Sequence, residues 1–138
     1  VILTVSPIRY AKYGYHESQL SKAVLLLAAD KLTKEASGEV YYFPAYEIVN
    51  DELRDYRFYK ADMLHPNEQA VAYIWEQLVA TCFSATAKQF LKEWRPIKEA
   101  LAHRPFHPEA ASYQDFLKKT KEAARLLKHK YPNLELKE

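Results

Sequence analysis

The chain has 138 residues, of which 49% are apolar and 28% charged, and its formal net charge is +2. This composition excludes a disordered chain and, with a single cysteine, a disulfide scaffold, and no apolar run approaches the ~20 residues that a membrane-spanning helix needs. Only two glycines are present, which excludes glycine-rich nucleotide-binding loops, and the small net charge predicts neither a nucleic-acid nor a membrane partner.

The beginning of the chain predicts a βαβ unit. Residues 1–5 form a continuous apolar run typical of a strand covered on both faces, and residues 40–43 form a second β-rich run. Between them we expect a helix from Ser18, a suitable N-cap, to about Glu35. The short joints make the two strands parallel, with a right-handed crossover.

The predicted helix carries an apolar stripe that we expect to be well buried. Its members are Leu20, Ala23, Val24, Leu27, Ala28 and Leu32. A parallel sheet of only two strands has open edges and uncovered apolar faces. The chain also begins without methionine inside an apolar run, so we expect that residue 1 is not the natural start. A missing N-terminal segment or a second copy of the chain is then expected to complete the sheet.

Residues 45–64 are polar and aromatic and predict a long ordered loop with a helical turn over residues 47–53. Loops of this length inside compact domains tend to carry function. A second helix is predicted to start near Pro66, which suits a first-turn position, and to end at Ser84. Its apolar face contains Val71, Ile74, Trp75, Leu78 and Cys82.

Residues 84–138 predict a helical extension that is separate from residues 1–83. The pattern predicts, in order, a helix at 90–101 that Pro96 kinks or restarts, a stiff linker at 104–108 and a last helix over 109–131. The first part holds eight Lys and Arg against eleven Asp and Glu, a net charge of −3, and the second holds twelve against seven, a net charge of +5. This change places a domain boundary near Ser84.

The most informative local pattern is Asp62-Met63-Leu64-His65-Pro66, directly before the second predicted helix. An aspartate three residues before a histidine can place its carboxylate against the imidazole within one turn of chain. The carboxylate then fixes the tautomer of the ring and stabilises the imidazolium that forms when the histidine takes a proton from a nucleophile. We interpret His65 as a general base and Asp62 as the acid that orients it. In the alternative interpretation the pair only caps the following helix.

A wider resemblance is carried by several blocks of sequence around this pattern. The blocks are residues 4–9, 20–23, 42–48, 51–59, 62–66 and 73–75. Together they resemble the C-terminal half of the GSCFA family, and Asp-x-x-His-Pro resembles the last block of the SGNH, or GDSL-type, hydrolases. The resemblance covers residues 1–83 closely, and the tail with His103-Arg104-Pro105-Phe106 is similar to that of bacterial members.

This resemblance implies an α/β fold, the C-terminal part of a three-layer α/β/α sandwich with parallel strands, followed by the helical extension. It implies part of an ester or acyl hydrolase that acts on a small ester or acylated substrate without cofactor or metal, with His65 as base and Asp62 as orienting acid. The Gly-Ser-Cys-Phe-Ala block that supplies the family's nucleophile is absent from the sequence. We therefore expect the nucleophile in the missing N-terminal segment and expect this chain alone to be inactive. When the Gly-Ser-Cys-Phe-Ala block is aligned without a gap with the Gly-Asp-Ser block of GDSL-type hydrolases, a cysteine takes the position of the serine. Serine and cysteine therefore both remain candidates for the nucleophile.

Other residues have weaker functional interpretations. Ser6, at the end of the first strand, lacks the glycine-flanked elbow that exposes a nucleophile. The arginines and tyrosines of residues 54–59 could line a polar substrate pocket, but we prefer the interpretation that ion pairs fix this loop. His103 and His107 have the spacing of metal ligands, yet Pro105 lies between them and no third ligand is near, so no metal site is predicted.

A non-catalytic interaction module is the alternative function. In it, the basic last helix contacts a partner through Lys118, Lys119, Lys121, Arg125, Lys128 and Lys130. The interspersed Glu122 and Glu135 favour a solvated helix over an RNA-binding or lipid-binding one. The resemblance to bacterial proteins, with a single cysteine, predicts the bacterial cytoplasm.

Overall fold

A computed structural model describes residues 1–133, so Glu135 and the other residues of the predicted extension beyond 133 lie outside the described part of the chain. The chain divides into two compact units, Val1–Cys82 and Phe83–Glu138. The first unit contains two short strands and a series of helices and helical turns, and the second contains helices.

The first unit begins with the predicted βαβ arrangement. Strand β1 (Ile2–Leu3) pairs in parallel with strand β2 (Tyr41–Tyr42), with Ile2 opposite Tyr41 and Leu3 opposite Tyr42. Helix α1 (Tyr15–Glu35) connects the two strands. The strands are shorter than the predicted runs, but their parallel pairing is confirmed.

Helix α1 begins earlier than the sequence predicts. Gly14 is its N-cap and has a φ of 90°, a conformation that glycine adopts without strain, and it contributes no side-chain hydrogen bond. Ser18 is buried within the first turn, so the prediction that Ser18 caps this helix is wrong. The helix ends at Glu35 as predicted.

The predicted apolar stripe of α1 is on the wrong face of the helix. The buried residues are instead Ser18, Lys22 and Ala29, which recur at helical spacing. Val24 and Leu27 of the predicted stripe are 65% and 71% exposed. The prediction of nearly complete burial fails because α1 has apolar residues around most of its circumference, whereas the described chain covers only one of its faces.

After β2 the chain forms a compact helical segment in place of an extended loop. Helix α2 (Ala45–Glu47) continues into a π-helical turn (Ile48–Leu53), and a 3₁₀ turn covers Tyr56–Phe58. The Tyr42 hydroxyl donates to the Glu47 carboxylate at 2.9 Å, which joins the end of the sheet to this segment. The predicted helical turn over residues 47–53 is confirmed, although its hydrogen-bond pattern is partly that of a π-helix.

The core of the first unit lies where this segment packs on helix α3 (Glu68–Cys82). Its buried centre consists of Phe43, Ala45 and Ile48. The residues packed against it are Leu53, Tyr73, Ile74, Leu78 and Cys82. Val71 and Trp75 of the predicted apolar face are exposed, so only part of that face enters the core.

The second unit contains a helical hairpin of α4 (Ala85–Ala102) and α5 (Ala111–Lys130). Ser84 is the N-cap of α4, with its Oγ accepting from the Ala87 N–H at 3.2 Å. Of the two outcomes predicted at Pro96, a kink or a restart, the restart does not occur, because α4 continues through the proline. A proline inside a helix costs about 3 kcal/mol, and the packing of α4 along α5 offsets this cost.

Aromatic rings and one ion pair connect the first half of α4 to the end of α5. The Phe90 ring packs edge-to-face on Tyr131, with 5.2 Å between the centroids. Lys130 Nζ lies 2.6 Å from Glu93 Oε1, so the last turn of α5 is fixed to α4 by charge as well as by packing.

The described chain is therefore mostly helical, with a two-stranded parallel sheet. This architecture supports the predicted α/β class with parallel strands. The full three-layer sandwich is not seen within residues 1–133. In the same range, no helix combines the length and the apolar character that crossing a bilayer requires.

Candidate active site

Residues 59–66 form a closed turn directly before α3, called here the Asp62–His65 turn. Tyr59 and Pro66 pair across it as an antiparallel bridge. Inside this bridge the Lys60 N–H donates to the His65 carbonyl at 2.8 Å. The backbone of the turn is thus closed by hydrogen bonds between residues close in sequence.

The Asp62 carboxylate shapes the turn and orients the imidazole at the same time. Its Oδ1 accepts from the N–H groups of Leu64, at 2.9 Å, and His65, at 3.0 Å. Its Oδ2 lies 2.7 Å from Nδ1 of the His65 ring. Met63 has a φ of 58°, a left-handed conformation that non-glycine residues adopt infrequently. The two side chains singled out from the sequence are therefore brought together.

These hydrogen bonds lower the pKa of Asp62 to about 2. The largest contributions come from the backbone N–H groups of His65 and Leu64, followed by the His65 ring. All three stabilise the charged form of the carboxyl group relative to its protonated form. Asp62 is consequently an ionised carboxylate at neutral pH.

The other edge of the His65 ring is accessible. The His65 side chain is 53% exposed, and within residues 1–133 its only side-chain partner is Asp62. A carboxylate at Nδ1 keeps a proton on that nitrogen, which leaves the lone pair of the neutral ring on Nε2. Nε2 is therefore free to accept a proton from a group that approaches through solvent.

Asn67 joins the turn to α3. Its Oδ1 accepts from the Ala70 N–H at 3.0 Å, which is the pattern of an N-cap, and its Nδ2 donates to the Arg57 carbonyl at 2.5 Å. Pro66 lies before this cap, paired with Tyr59. The helix begins near Pro66 as predicted, at Glu68, but Pro66 precedes the Asn67 cap and does not lie in the first turn.

Arg9 ties the turn to the segment that follows β1. Its backbone N–H donates to the Leu64 carbonyl at 3.0 Å, and its guanidinium donates to the Met63 carbonyl at 3.0 Å. The guanidinium lies 4.7 to 5.6 Å from the centroids of the rings of Tyr15, Tyr56 and Tyr59. Arg9 thus positions the turn from outside it, a role that the sequence analysis did not assign.

The polar loop before the turn contributes local structure. Asp55 Oδ1 accepts from the Arg57 N–H at 2.8 Å and caps the 3₁₀ turn. One of the expected ion pairs is present, with 3.7 Å between Arg57 Nε and Asp55 Oδ2. Tyr56 and Tyr59 from the same loop flank the Arg9 guanidinium.

The weaker candidates have simple structural surroundings. The Ser6 Oγ accepts a hydrogen bond from the Ile8 N–H at 3.3 Å. In the second unit, His103 packs against the rings of Tyr113 and Phe116 and His107 is exposed. Within residues 1–133, no three His, Cys, Asp or Glu side chains are grouped so that they could hold a metal ion.

Lys22 is a second residue that the sequence analysis missed. It lies on the buried face of α1 and is 8% exposed, and its Nζ donates to the Ser6 carbonyl at 2.7 Å. The available signal was its spacing, because Ser18, Lys22 and Ala29 recur on one helix face. A lysine in a stripe of small residues is unusual on a buried face, since burying an unpaired charge is costly.

Comparison with known proteins gives two matches to family sequence models. The model described as the GSCFA family matches residues 1–78, and the model described as GSCFA domain protein, C-terminal domain, matches residues 94–138. No curated protein and no solved structure gives a significant match. The first match includes the whole Asp62–His65 turn, together with Arg9 and Lys22.

Proposed function

Because the chain belongs to the GSCFA family, we propose that it carries the acid–base part of the active site of an SGNH-like ester or acyl hydrolase. In this proposal His65 is the general base, and Asp62 positions it. The observation that carries the proposal is the distance of 2.7 Å between Asp62 Oδ2 and His65 Nδ1, with the opposite edge of the ring exposed. The resemblance of Asp-x-x-His-Pro to SGNH hydrolases supports the reaction class.

The proposed reaction is an acyl-enzyme cycle. His65 Nε2 takes the proton of a serine hydroxyl or cysteine thiol as the oxygen or sulfur attacks the carbonyl carbon of the substrate. The imidazolium is stabilised by the ionised Asp62 carboxylate and then gives its proton to the leaving alcohol. A water molecule, deprotonated by the same nitrogen, then attacks the acyl carbon, and His65 returns this proton to the departing serine oxygen or cysteine sulfur as the acid is released. The cycle requires no cofactor or metal.

The nucleophile of this cycle is proposed to come from outside these 138 residues. The Gly-Ser-Cys-Phe-Ala block is absent from the sequence, and Ser6 lacks a glycine-flanked elbow. The two-stranded sheet and the exposed residues Val24 and Leu27 support additional chain packing on the first unit. In this proposal, the additional polypeptide is either an N-terminal segment of the protein or a second copy of these 138 residues.

The proposal is tested on protein expressed from its complete open reading frame, with p-nitrophenyl acetate as the ester. His65→Ala should lower kcat by about 10⁴-fold or more, because the nucleophile loses its base. His16→Ala is the matched control, since His16 is an exposed histidine in the first turn of α1.

Unchanged kcat in His16→Ala and loss in His65→Ala support the hydrolase. Equal activity of the parent and His65→Ala contradicts it, as does a parent protein that consumes no ester. Circular dichroism of all three proteins checks that the histidine substitutions leave the fold intact.

A second candidate function rests on the basic surface of α5. Within residues 1–133, Arg125 pairs with Glu122 and Lys130 with Glu93. Among the lysines of α5, Lys118, Lys119, Lys121 and Lys128 are exposed and form no ion pair with a residue of the described chain. These side chains suit an acidic protein surface, and a protein without esterase activity would favour this function.

A further inference from the structure

A small cavity lies between the carboxyl end of β1, the first half of α1 and the helical segment after β2. Its volume is about 70 Å³, enough for a few water molecules or one small polar group. We call it the Lys22 cavity, and its polar lining residues are Arg9, Tyr15, Ser18, Gln19, Lys22, Tyr46 and Asn50. Ligands of open α/β sheets collect at this end of the strands.

Lys22 is the buried cation of this cavity. Its ammonium group donates to the Ser6 carbonyl at 2.7 Å, and within residues 1–133 no carboxylate lies within 4 Å of it. Burial lowers the pKa of Lys22, because the charged form loses hydration without gaining an anionic partner. The site therefore holds a cationic group whose charge is not compensated by the described part of the chain.

Arg9 adds a second cation to the same cavity. One guanidinium nitrogen donates to the Met63 carbonyl, and three tyrosine rings surround the group. These contacts stabilise the guanidinium through dipoles and π-systems, and no ion pair to a carboxylate is formed within residues 1–133. Among the neutral lining groups, the Tyr46 hydroxyl donates to Gln19 Oε1 at 2.8 Å and the Asn50 amide donates to the Tyr46 carbonyl at 2.8 Å.

We propose that the Lys22 cavity binds a compact oxyanion, a carboxylate or phosphate group, between the Lys22 ammonium and the Arg9 guanidinium. Cations with several N–H donors form strong, charge-assisted hydrogen bonds with such groups. Arg9 also bonds to the Leu64 and Met63 carbonyls, so the cavity adjoins the Asp62–His65 turn. Resting on the proposed hydrolase function, this inference assigns the enzyme esters that carry an anionic group.

Binding is tested first, without reference to catalysis. Inorganic phosphate and, separately, acetate are titrated into the ¹⁵N-labelled full-length protein, and the backbone N–H signals of the cavity residues are followed. We expect saturable shifts at Arg9, Gln19 and Lys22. Lys22→Met should weaken binding about tenfold or more, as expected for loss of a charged hydrogen bond. Lys31→Met, an exposed lysine of the same helix, should leave binding unchanged.

A second variant keeps the test decisive if Lys22→Met does not fold. Gln19→Glu changes an exposed residue with almost no change in shape and retains an acceptor for the Tyr46 hydroxyl. Its negative charge should weaken phosphate and acetate binding about tenfold. Absence of saturable shifts, or equal weakening by Lys31→Met, overturns the proposal. Tighter binding of phosphate identifies a phosphate-bearing ligand, and tighter binding of acetate a carboxylate-bearing one.

Ester kinetics then separate this inference from the hydrolase proposal. Mono-p-nitrophenyl succinate should have a lower KM than p-nitrophenyl acetate in the parent, and Lys22→Met should remove that difference without a matching loss of kcat. Anion binding without ester hydrolysis would support the oxyanion site in the Lys22 cavity and contradict the hydrolase proposal. The opposite result is ester hydrolysis with no preference for the charged ester and with no binding of phosphate or acetate. It would support the hydrolase proposal and contradict the oxyanion site.

Discussion

The Asp62–His65 turn and the Lys22 cavity each hold a charged side chain, and they do so in opposite ways. Asp62 is exposed and receives three hydrogen bonds from residues no more than three positions away. Lys22 is buried and has one acceptor, on a residue 16 positions away. The charge in the turn is stabilised by its own short segment of chain. The charge in the cavity depends on how α1 packs against the end of β1.

The substitution Asp62→Asn tests the turn with the largest expected effect. An asparagine keeps an oxygen to accept from the Leu64 and His65 N–H groups, so the backbone should be retained. It cannot hold the proton on His65 Nδ1 or stabilise an imidazolium, and kcat for p-nitrophenyl acetate should fall by about 10³- to 10⁴-fold.

Asp51→Asn is the matched control for this prediction, since Asp51 is an exposed aspartate of the first unit. It should retain the parent's kcat for p-nitrophenyl acetate. An Asp62→Asn protein with the parent's kcat would show that the carboxylate shapes the turn without acting on the imidazole.

The substitution Phe43→Ala tests the dependence of the cavity on packing. Phe43 is 3% exposed in the core of the first unit, and its truncation should lower the free energy of unfolding by about 3 to 5 kcal/mol. Urea unfolding, followed through the first unit, measures this loss. Phe106→Ala, at a fully exposed phenylalanine, should change it by less than about 0.5 kcal/mol.

In Phe43→Ala we also expect weaker phosphate binding, whereas the hydrogen bonds of the Asp62–His65 turn should be largely retained. The hydrogen bonds from the Leu64 and His65 N–H groups can be followed by hydrogen exchange under conditions where the variant is folded. Loss of protection at these two groups in parallel with loss of phosphate binding would contradict the local character of the turn.

The smallest effect is on the pH dependence of stability, where the two sites act at opposite ends of the scale. The pKa of Asp62 is lowered to about 2, so its stabilising contribution should be lost as the pH falls from about 4 to 2. The pKa of Lys22 is lowered by burial, so the unfolded chain binds the proton more tightly. The free energy of unfolding should therefore rise as the pH approaches 10.5, the ordinary lysine value.

Urea unfolding across both pH ranges measures these two slopes. Asp62→Asn should reduce the slope at acid pH alone, and Lys22→Met should reduce the slope at alkaline pH alone. Variants whose slopes match those of the parent would show that neither shift contributes to stability.

The features that were predictable from the sequence are those set by neighbouring residues. The pairing of Asp62 with His65 follows from a spacing of three residues, and the parallel strands follow from two β-rich runs joined by a helix. The end of α1 at Glu35 is likewise set locally. Short-range geometry decides the first and the last of these features, and the order of strand, helix and strand decides the parallel pairing.

The features that were missed depend on contacts between distant segments. Helix α1 has apolar residues on several faces, and the buried face is the one that contains Lys22, with contacts to β2 and a hydrogen bond to the Ser6 carbonyl. The bonds from Arg9 to Leu64 and Met63 span more than 50 residues. Pro96 remains inside a helix because α5 packs along it. No spacing in the sequence identifies such partners.

The side chain of Asn67 has a consequence for which residues this position can accept. Aspartate or serine would cap α3 about as well, because only an oxygen is needed at the Ala70 N–H. Neither can also donate to the Arg57 carbonyl from the other end of the same planar group. The planar Asn67 amide thus connects the first turn of α3 to the loop that precedes it. Deamidation at this one position would keep the helix cap and remove the side-chain hydrogen bond to the loop.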